Sequence, residues 1–230
     1  MGSKQVLLNI NEQMANDFSH LFFSFYEHVN SGNHSKAKEI STKQDSLLKQ
    51  LKVNGYDVGA LLEDLKTRKI FQTKYETVFV FSDGGVRNNH DPNLKPLSAS
   101  AFTIYGDKKI IKHGGEFIGD RITLPNGGNI EVNSTLAEYN GILRALQFVE
   151  KYQVKADKIV FLTDCDSIVK HLKNLPNQHI YQDYVQELQE RLTSFSNAEL
   201  KHIPRELNKV TDALVNQLMD IHERGEKVCH

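Results

Sequence analysis

The stretch Lys158-Ile159-Val160-Phe161-Leu162-Thr163-Asp164 is apolar at every position from Ile159 to Leu162 and ends in a carboxylate. A run this short and this uniform predicts a strand covered on both faces, in the middle of a sheet with parallel pairing. Thr77-Val78-Phe79-Val80-Phe81 has the same character and runs two residues later into another acid, Asp83. The carboxyl ends of such strands are where open sheets keep their sites.

Around these two runs the pattern alternates. Strands are expected from Ser98 to Tyr105 and from Lys109 to Ile118. Asn88-Asn89-His90-Asp91-Pro92 separates the first strand from the second, and Gly106-Asp107 the second from the third, which predicts an antiparallel meander. A helix from Thr135 to about Lys151 carries Leu136, Tyr139, Leu143 and Leu146 on one line and Ile142, Ala145 and Val149 on another, so it should be largely buried. Helical stretches from Ser167 and from Tyr181, a strand from Ala198 to Ile203 and a last helix from about Asn208 to His222 complete this part. Between Ile122 and Val132, Asn126-Gly127-Gly128 is a turn signal, read as a hairpin extension, with a mobile loop over the site as the alternative.

The first seventy residues differ. Met14, Phe18, Leu21, Phe22, Phe25 and Val29 recur at helical spacing within residues 11–30, stopped by Ser31-Gly32-Asn33. A second helix is expected from Ser35, with Leu47, Leu48 and Leu51 apolar and Asn54-Gly55 as its stop, and a third through Leu61, Leu62 and Leu65. The expected organisation is a small helical region, 1–72, followed by an α/β domain, 73–230. Phe18, Phe22 and Phe25 suit a dimer seam, a domain interface or a partner protein.

The chain's 230 residues, 39% hydrophobic and 25% charged, suffice for one full-sized core and a small accessory unit, which argues against disorder. With 28 basic and 29 acidic residues the net charge is -1, so no arm binds polyanions by bulk charge and any nucleic-acid contact must be local. No apolar run approaches the roughly 18 residues of a membrane span. Two cysteines, Cys165 and Cys229, form no disulfide framework and no export signal is read, so a reducing cytoplasm is expected.

Four acids sit where a carboxylate is costly unless something uses it. Asp83 and Asp164 end apolar strands, Glu138 lies in the first turn of the buried helix on the line of Ile142 and Ala145, and Asp212 begins the last helix beside Val210 and Leu214. Each has a plain structural explanation. Thr135-Leu136-Ala137-Glu138 matches a capping box, Asp166 after Asp164 suits a helix start, and the helix macrodipole favours Asp212. Convergence changes the balance, because four carboxylates in one pocket repel unless cations neutralise them. Oxygen-only ligands favour magnesium or manganese over zinc, and two such ions about 4 Å apart clamp the attacking and leaving oxygens of a phosphodiester.

These segments resemble the type 1 ribonuclease H family over about Thr77 to His222. Ser82-Asp83-Gly84-Gly85 is similar to its first-strand Asp-Gly motif, Asn133-Ser134-Thr135-Leu136-Ala137-Glu138-Tyr139 to Thr-Asn-Asn-x-Ala-Glu, and Leu162-Thr163-Asp164-Cys165-Asp166-Ser167 to Thr-Asp-Ser. His202-Ile203-Pro204-Arg205-Glu206-Leu207-Asn208-Lys209-Val210-Thr211-Asp212 resembles the His-Val-Pro-Arg-Glu-x-Asn-x-x-Ala-Asp form of an archaeal and bacterial subset. The resemblance implies an α/β ribonuclease H-like fold: a five-stranded mixed sheet, three strands antiparallel then two parallel, flanked by helices and preceded here by a helical region. It implies an endoribonuclease that cleaves the RNA strand of RNA/DNA hybrids to 5'-phosphate and 3'-hydroxyl ends, with Asp83, Glu138, Asp164 and Asp212 holding two Mg2+ ions that Mn2+ can replace. Arg205, with His202 second, takes the assisting role that a loop histidine has elsewhere in the family.

The resemblance further makes Gly84, Gly85, Asn133, Ser134, Thr135 and Asn208 substrate-binding residues. The glycines would let a nucleic-acid backbone approach main-chain amides, and the hydroxyls and amide of residues 133–135 would address 2' hydroxyls in a minor groove. Three departures stand out: Asn133-Ser134-Thr135 for Thr-Asn-Asn, Thr211 for Ala, and no basic handle around Asn174 to Asn177. A nuclease of the same fold acting on other DNA or RNA structures, and a non-catalytic nucleic-acid or protein-binding module, are the alternatives.

Overall fold

The computed structural model describes residues 2–88 and 93–225; most of the turn expected at 88–92, and Cys229, fall outside the described residues. Between Gln72 and Thr73 the chain divides into two compact units.

The first unit holds α1 (Gly2–Asn30), α2 (His34–Val53) and α3 (Val58–Phe71). The breaks lie where the sequence places them. Gly32 and Gly55 take φ of 74° and 75°, and the next helices start on Asn33 and Asp57, whose side chains accept from the amides of Lys36 and Ala60. A short polar side chain there satisfies an amide the helix leaves unpaired, worth about 1 kcal/mol. Phe18, Phe22 and Leu65 form the buried centre, packed by Phe23, Tyr26, Leu47, Leu48, Leu61 and Leu62. Phe18 and Phe22 therefore serve the unit's own core and are not presented to a partner, while Phe25 stays half-buried against Tyr26. No helix of the described residues is long and apolar enough to cross a membrane.

The second unit is built on β1 (Tyr75–Arg87), β2 (Leu97–Gly106), β3 (Lys109–Phe117), β6 (Ala156–Thr163) and β7 (Ala198–His202), in the order β3-β2-β1-β6-β7. β1, β2 and β3 pair antiparallel, and β1–β6 and β6–β7 pair parallel. This is the ribonuclease H-like sheet. α4 (Ser134–Lys151), α5 (Asp166–Lys173), α6 (His179–Ser194) and α7 (Lys209–Glu223) flank it. A short antiparallel pair, β4 (Arg121–Thr123) with β5 (Asn129–Glu131), fulfils the hairpin reading. Gly127 turns it at φ 86°, and Asn126 Nδ2 donates to Asp183 of α6 at 2.6 Å, which fastens the tip.

β1 runs past the expected Phe81 to Arg87 because Asp83, Gly84 and Gly85 continue the ladder opposite Ala101, Ser100 and Ala99. Neither glycine has strand propensity; pairing alone holds them there. They mark where helices press on the sheet. A Cβ on Gly84 would lie 2.1 Å from the backbone carbon of Ala137 in α4, and one on Gly85 would lie 3.0 Å from Val215 in α7. Consecutive strand residues face opposite sides, so α4 and α7 cover opposite faces of β1. α4 is buried on both expected lines, and α7 packs Val215 and Met219 on Ala99 and Ala101. At the outer edge Glu199 of β7 bridges Lys158 and Lys201, each at 2.7 Å.

Gly84→Ala should therefore cost at least the upper end of the ~1–3 kcal/mol typical of overpacking, since backbone cannot yield as a side chain does. Gly127→Ala meets no atom within 4 Å and should cost only the ~1–2 kcal/mol of a strained φ. Chemical denaturation of both variants checks the order.

Candidate active site

The parallel register matches Phe81 with Leu162, so Asp83 and Asp164, each two residues further on, emerge side by side from adjacent strands. Ser82 Oγ donates to the carbonyl of Leu162 at 3.3 Å and stitches the strands just before they end. α4 supplies the third acid. It crosses β1 on two glycines, for besides Gly84 a Cβ on Gly141 would sit 2.6 Å from the carbonyl oxygen of Asp83. This close crossing carries Glu138 to the strand ends. One carboxylate oxygen each from Asp83, Glu138 and Asp164 all lie within 4.8 Å of one another.

Asp212, in the first turn of α7, stands at the margin of this set and is not a member of the close group. Its carboxylate meets Arg205 at 3.4 Å and Asn216 Nδ2 at 3.3 Å, yet its charge still raises the pKa of Asp83. Arg205, in the one-turn helix Arg205–Leu207, is largely exposed, so its pairing with Asp212 is a loose one. His202 ends β7 opposite Thr163 and is exposed.

Asn208 is 1% exposed, which removes it from any substrate surface. Its Nδ2 donates to Asp164 Oδ1 at 2.6 Å and to the Ser82 carbonyl at 2.9 Å, while its backbone carbonyl accepts from the Asp212 amide at 3.0 Å, as in any first helical turn. It orients the Asp164 carboxylate from inside. The motif placed it correctly; its burial, which decides its role, is a tertiary fact.

Other expected contacts also change meaning. Gly84 and Gly85 are glycine because α4 and α7 fill the space a Cβ would need, and the Gly84 amide is already spent on Asp83 Oδ1 at 2.9 Å. Asn133, not Thr135, caps α4: its Oδ1 accepts from the Leu136 amide at 3.0 Å, and its Nδ2 reaches the Tyr181 hydroxyl at 3.2 Å. Ser134 is exposed and Thr135 half-buried beside it. Cys165 Sγ contacts Ser167 Oγ at 3.0 Å, and burial pushes its thiol pKa up, as in a packed residue and not a nucleophile.

The electrostatics are those of a site built for cations. Burial first, then the charges of Asp164 and Asp212, lift Asp83 from an ordinary 3.8 to about 6. Burial and the charges of Asp83 and Asp164 raise Glu138 much further, to about 10. Glu138 Oε2 is buried with no hydrogen-bond partner. An orphaned carboxylate oxygen beside two other acids, in an all-oxygen donor set, fits a hard divalent ion such as magnesium or manganese.

Comparison with known proteins agrees with the fold. A sequence family described as reverse transcriptase-like matches residues 126–218, a span that takes in Glu138, Asp164 and Asp212. Among curated proteins none matches the chain. Ribonuclease H1 of the halophilic archaeon Halobacterium salinarum NRC-1 superimposes with a TM-score of 0.50 at 24% identity, over 63% of this chain and 98% of that one. LC11-RNase H1, isolated from compost, gives 0.52 at 20% identity over 64% and 98%. The N-terminal RNase H domain of rv2228c from Mycobacterium tuberculosis gives 0.51 at 18% identity over 65% and 98%.

Both raised acids bind a proton more tightly folded than unfolded, so the stability they contribute is complete below an ordinary carboxylate pKa and is lost as pH rises through the folded values. The metal-free chain should melt lower at about pH 8 than at about pH 5, and magnesium should restore more at the higher pH. Asp83→Asn should shrink that difference; thermal unfolding with chelator and with magnesium, in both proteins, is the check.

Proposed function

We propose that the chain is a divalent-metal-dependent nuclease that hydrolyses the RNA strand of RNA/DNA hybrids, leaving 5'-phosphate and 3'-hydroxyl ends. One observation carries the reading: three acids from three separate elements converge within 4.8 Å, and one of them keeps a buried oxygen unpaired. Such an arrangement is costly unless cations complete it. The hybrid as substrate is supported by the likeness to LC11-RNase H1, whose structure in complex with an RNA/DNA hybrid superimposes with a TM-score of 0.51 at 20% identity.

In this reading residues 73–230 form the catalytic unit of a cytoplasmic enzyme, and residues 1–72 a separate helical region. Asp83, Glu138 and Asp164 hold two Mg2+ ions with Asp212, and when bound these ions supply the Lewis acidity a phosphodiester displacement needs at its attacking and leaving oxygens. The protein's own groups do the rest. Asn208 fixes the rotation of the Asp164 carboxylate, as a partner behind a metal ligand does. Arg205 neutralises Asp212 while cations are absent and, lying exposed at the rim, is free to meet a scissile phosphate, with His202 as second candidate. Ser134 and Thr135 at the start of α4 face the hybrid. The compact Pro204-Arg205 turn in place of a histidine loop aligns the chain with the archaeal and bacterial subset.

The test is a cleavage panel of hybrid, duplex DNA, duplex RNA and four-way junction, with and without magnesium. Cleavage of the hybrid's RNA strand alone is expected, and a preference for another substrate overturns the reading. Asp83→Asn and Asp164→Asn should abolish turnover, whereas Asn208→Ala should lose ~10–100-fold, measured at saturating hybrid. Near-wild-type rates in Asp83→Asn would remove the site.

A further inference from the structure

Behind Glu138 lies a ring cluster that the chemistry above does not use. Tyr139, the next residue, is 0% exposed. Its hydroxyl is hydrogen-bonded to Nδ1 of His171 in α5 at 2.9 Å. Tyr181 of α6 stacks on both rings, at 6.1 Å from Tyr139 and 5.6 Å from His171, and Tyr184 stacks on Tyr139 at 5.2 Å. The Tyr181 hydroxyl also receives Asn133 Nδ2 at 3.2 Å. α4 is thus tied to α6 at its cap, and to both α5 and α6 immediately after Glu138. α5, for its part, begins two residues after Asp164.

We infer that Tyr139 and His171 are positioning residues: their hydrogen bond couples the helix that carries Glu138 to the helix that follows Asp164, and so sets how these two carboxylates face a shared cation. The inference rests on the metal-dependent reading of the site. The hydrogen bond fixes what stacking alone leaves free, because stacked rings can slide over one another, whereas a hydroxyl–imidazole contact holds one distance and one direction. A shift of about 1 Å in a ligand is enough to impair a metal site.

Tyr184 provides the internal control. It belongs to the same stack and its hydroxyl is buried without a hydrogen-bond partner. Tyr184→Phe therefore removes a hydroxyl and no hydrogen bond, and Tyr139→Phe removes the same atom and the bond with it.

The experiment is calorimetric titration of the full chain with magnesium alone, accompanied by hybrid-cleavage kinetics. Tyr139→Phe and His171→Ala should weaken magnesium binding ~10-fold. His171→Asn, which keeps a polar atom near the place of Nδ1, should recover most of it, and Tyr184→Phe should match the wild type. In the cleavage assay the same two variants should require more magnesium for half-maximal rate, with KM for the hybrid within about twofold of wild type. Unchanged magnesium affinity in folded Tyr139→Phe, or an equal loss in Tyr184→Phe, overturns the inference. If the wild type binds magnesium but leaves hybrids intact, the proposed substrate falls while the calorimetric comparison still decides the role of Tyr139 and His171. If the wild type binds no magnesium, both readings fall together.

Discussion

The repulsion among buried carboxylates is the constraint around which the second unit is organised. Two acids at the ends of adjacent parallel strands cannot move apart without breaking the β1–β6 register, and α4 cannot withdraw Glu138 without leaving a gap where Gly84 and Gly141 meet the strand and helix backbones. The sheet and the glycine crossing fix the distances; the charges must adapt, and burial with mutual repulsion raises the pKa of both Asp83 and Glu138. Packing that strong opposing that electrostatic cost marks a site where stability is given up for chemistry.

Support for the acids comes from inside the fold and neutralisation from outside. Asn208 reaches the Asp164 carboxylate and the Ser82 carbonyl from a buried position, so it acts by geometry. Arg205 reaches Asp212 and does so from solvent. A buried amide holds one arrangement, and an exposed guanidinium can exchange partners, so the fixed and the adjustable parts of the site are carried by different residues three positions apart.

Much of this was legible in the sequence. Apolar runs ending in Asp83 and Asp164 revealed strands and their acids together, and the two apolar lines of the helix 134–151 revealed a buried element. What escaped was whatever depends on a partner distant in sequence. The extension of β1 through Gly84 and Gly85 is imposed by β2, and no local signal favours it. The glycines were read as an opening for substrate, yet α4 and α7 occupy that space, because an absent side chain looks the same in sequence whether ligand or protein fills the room. The family resemblance makes Asn208 a substrate contact; only its burial distinguishes orienting a carboxylate from touching a nucleotide. The α4 cap fell to Asn133 and not Thr135, since either residue suits a cap and the start of the helix chose between them.

The charged bridge on β7 bears on how copies of this protein behave when crowded. β7 ends the sheet, and an edge strand is where self-templated growth would begin. Glu199 and Lys201 lie on β7 itself and Lys158 on its inner neighbour β6, and an incoming strand would have to strip the hydration of the two lysine ammonium groups beside it before gaining its first ladder bond. That margin keeps the sheet finite and disfavours polymerisation into fibres from this side.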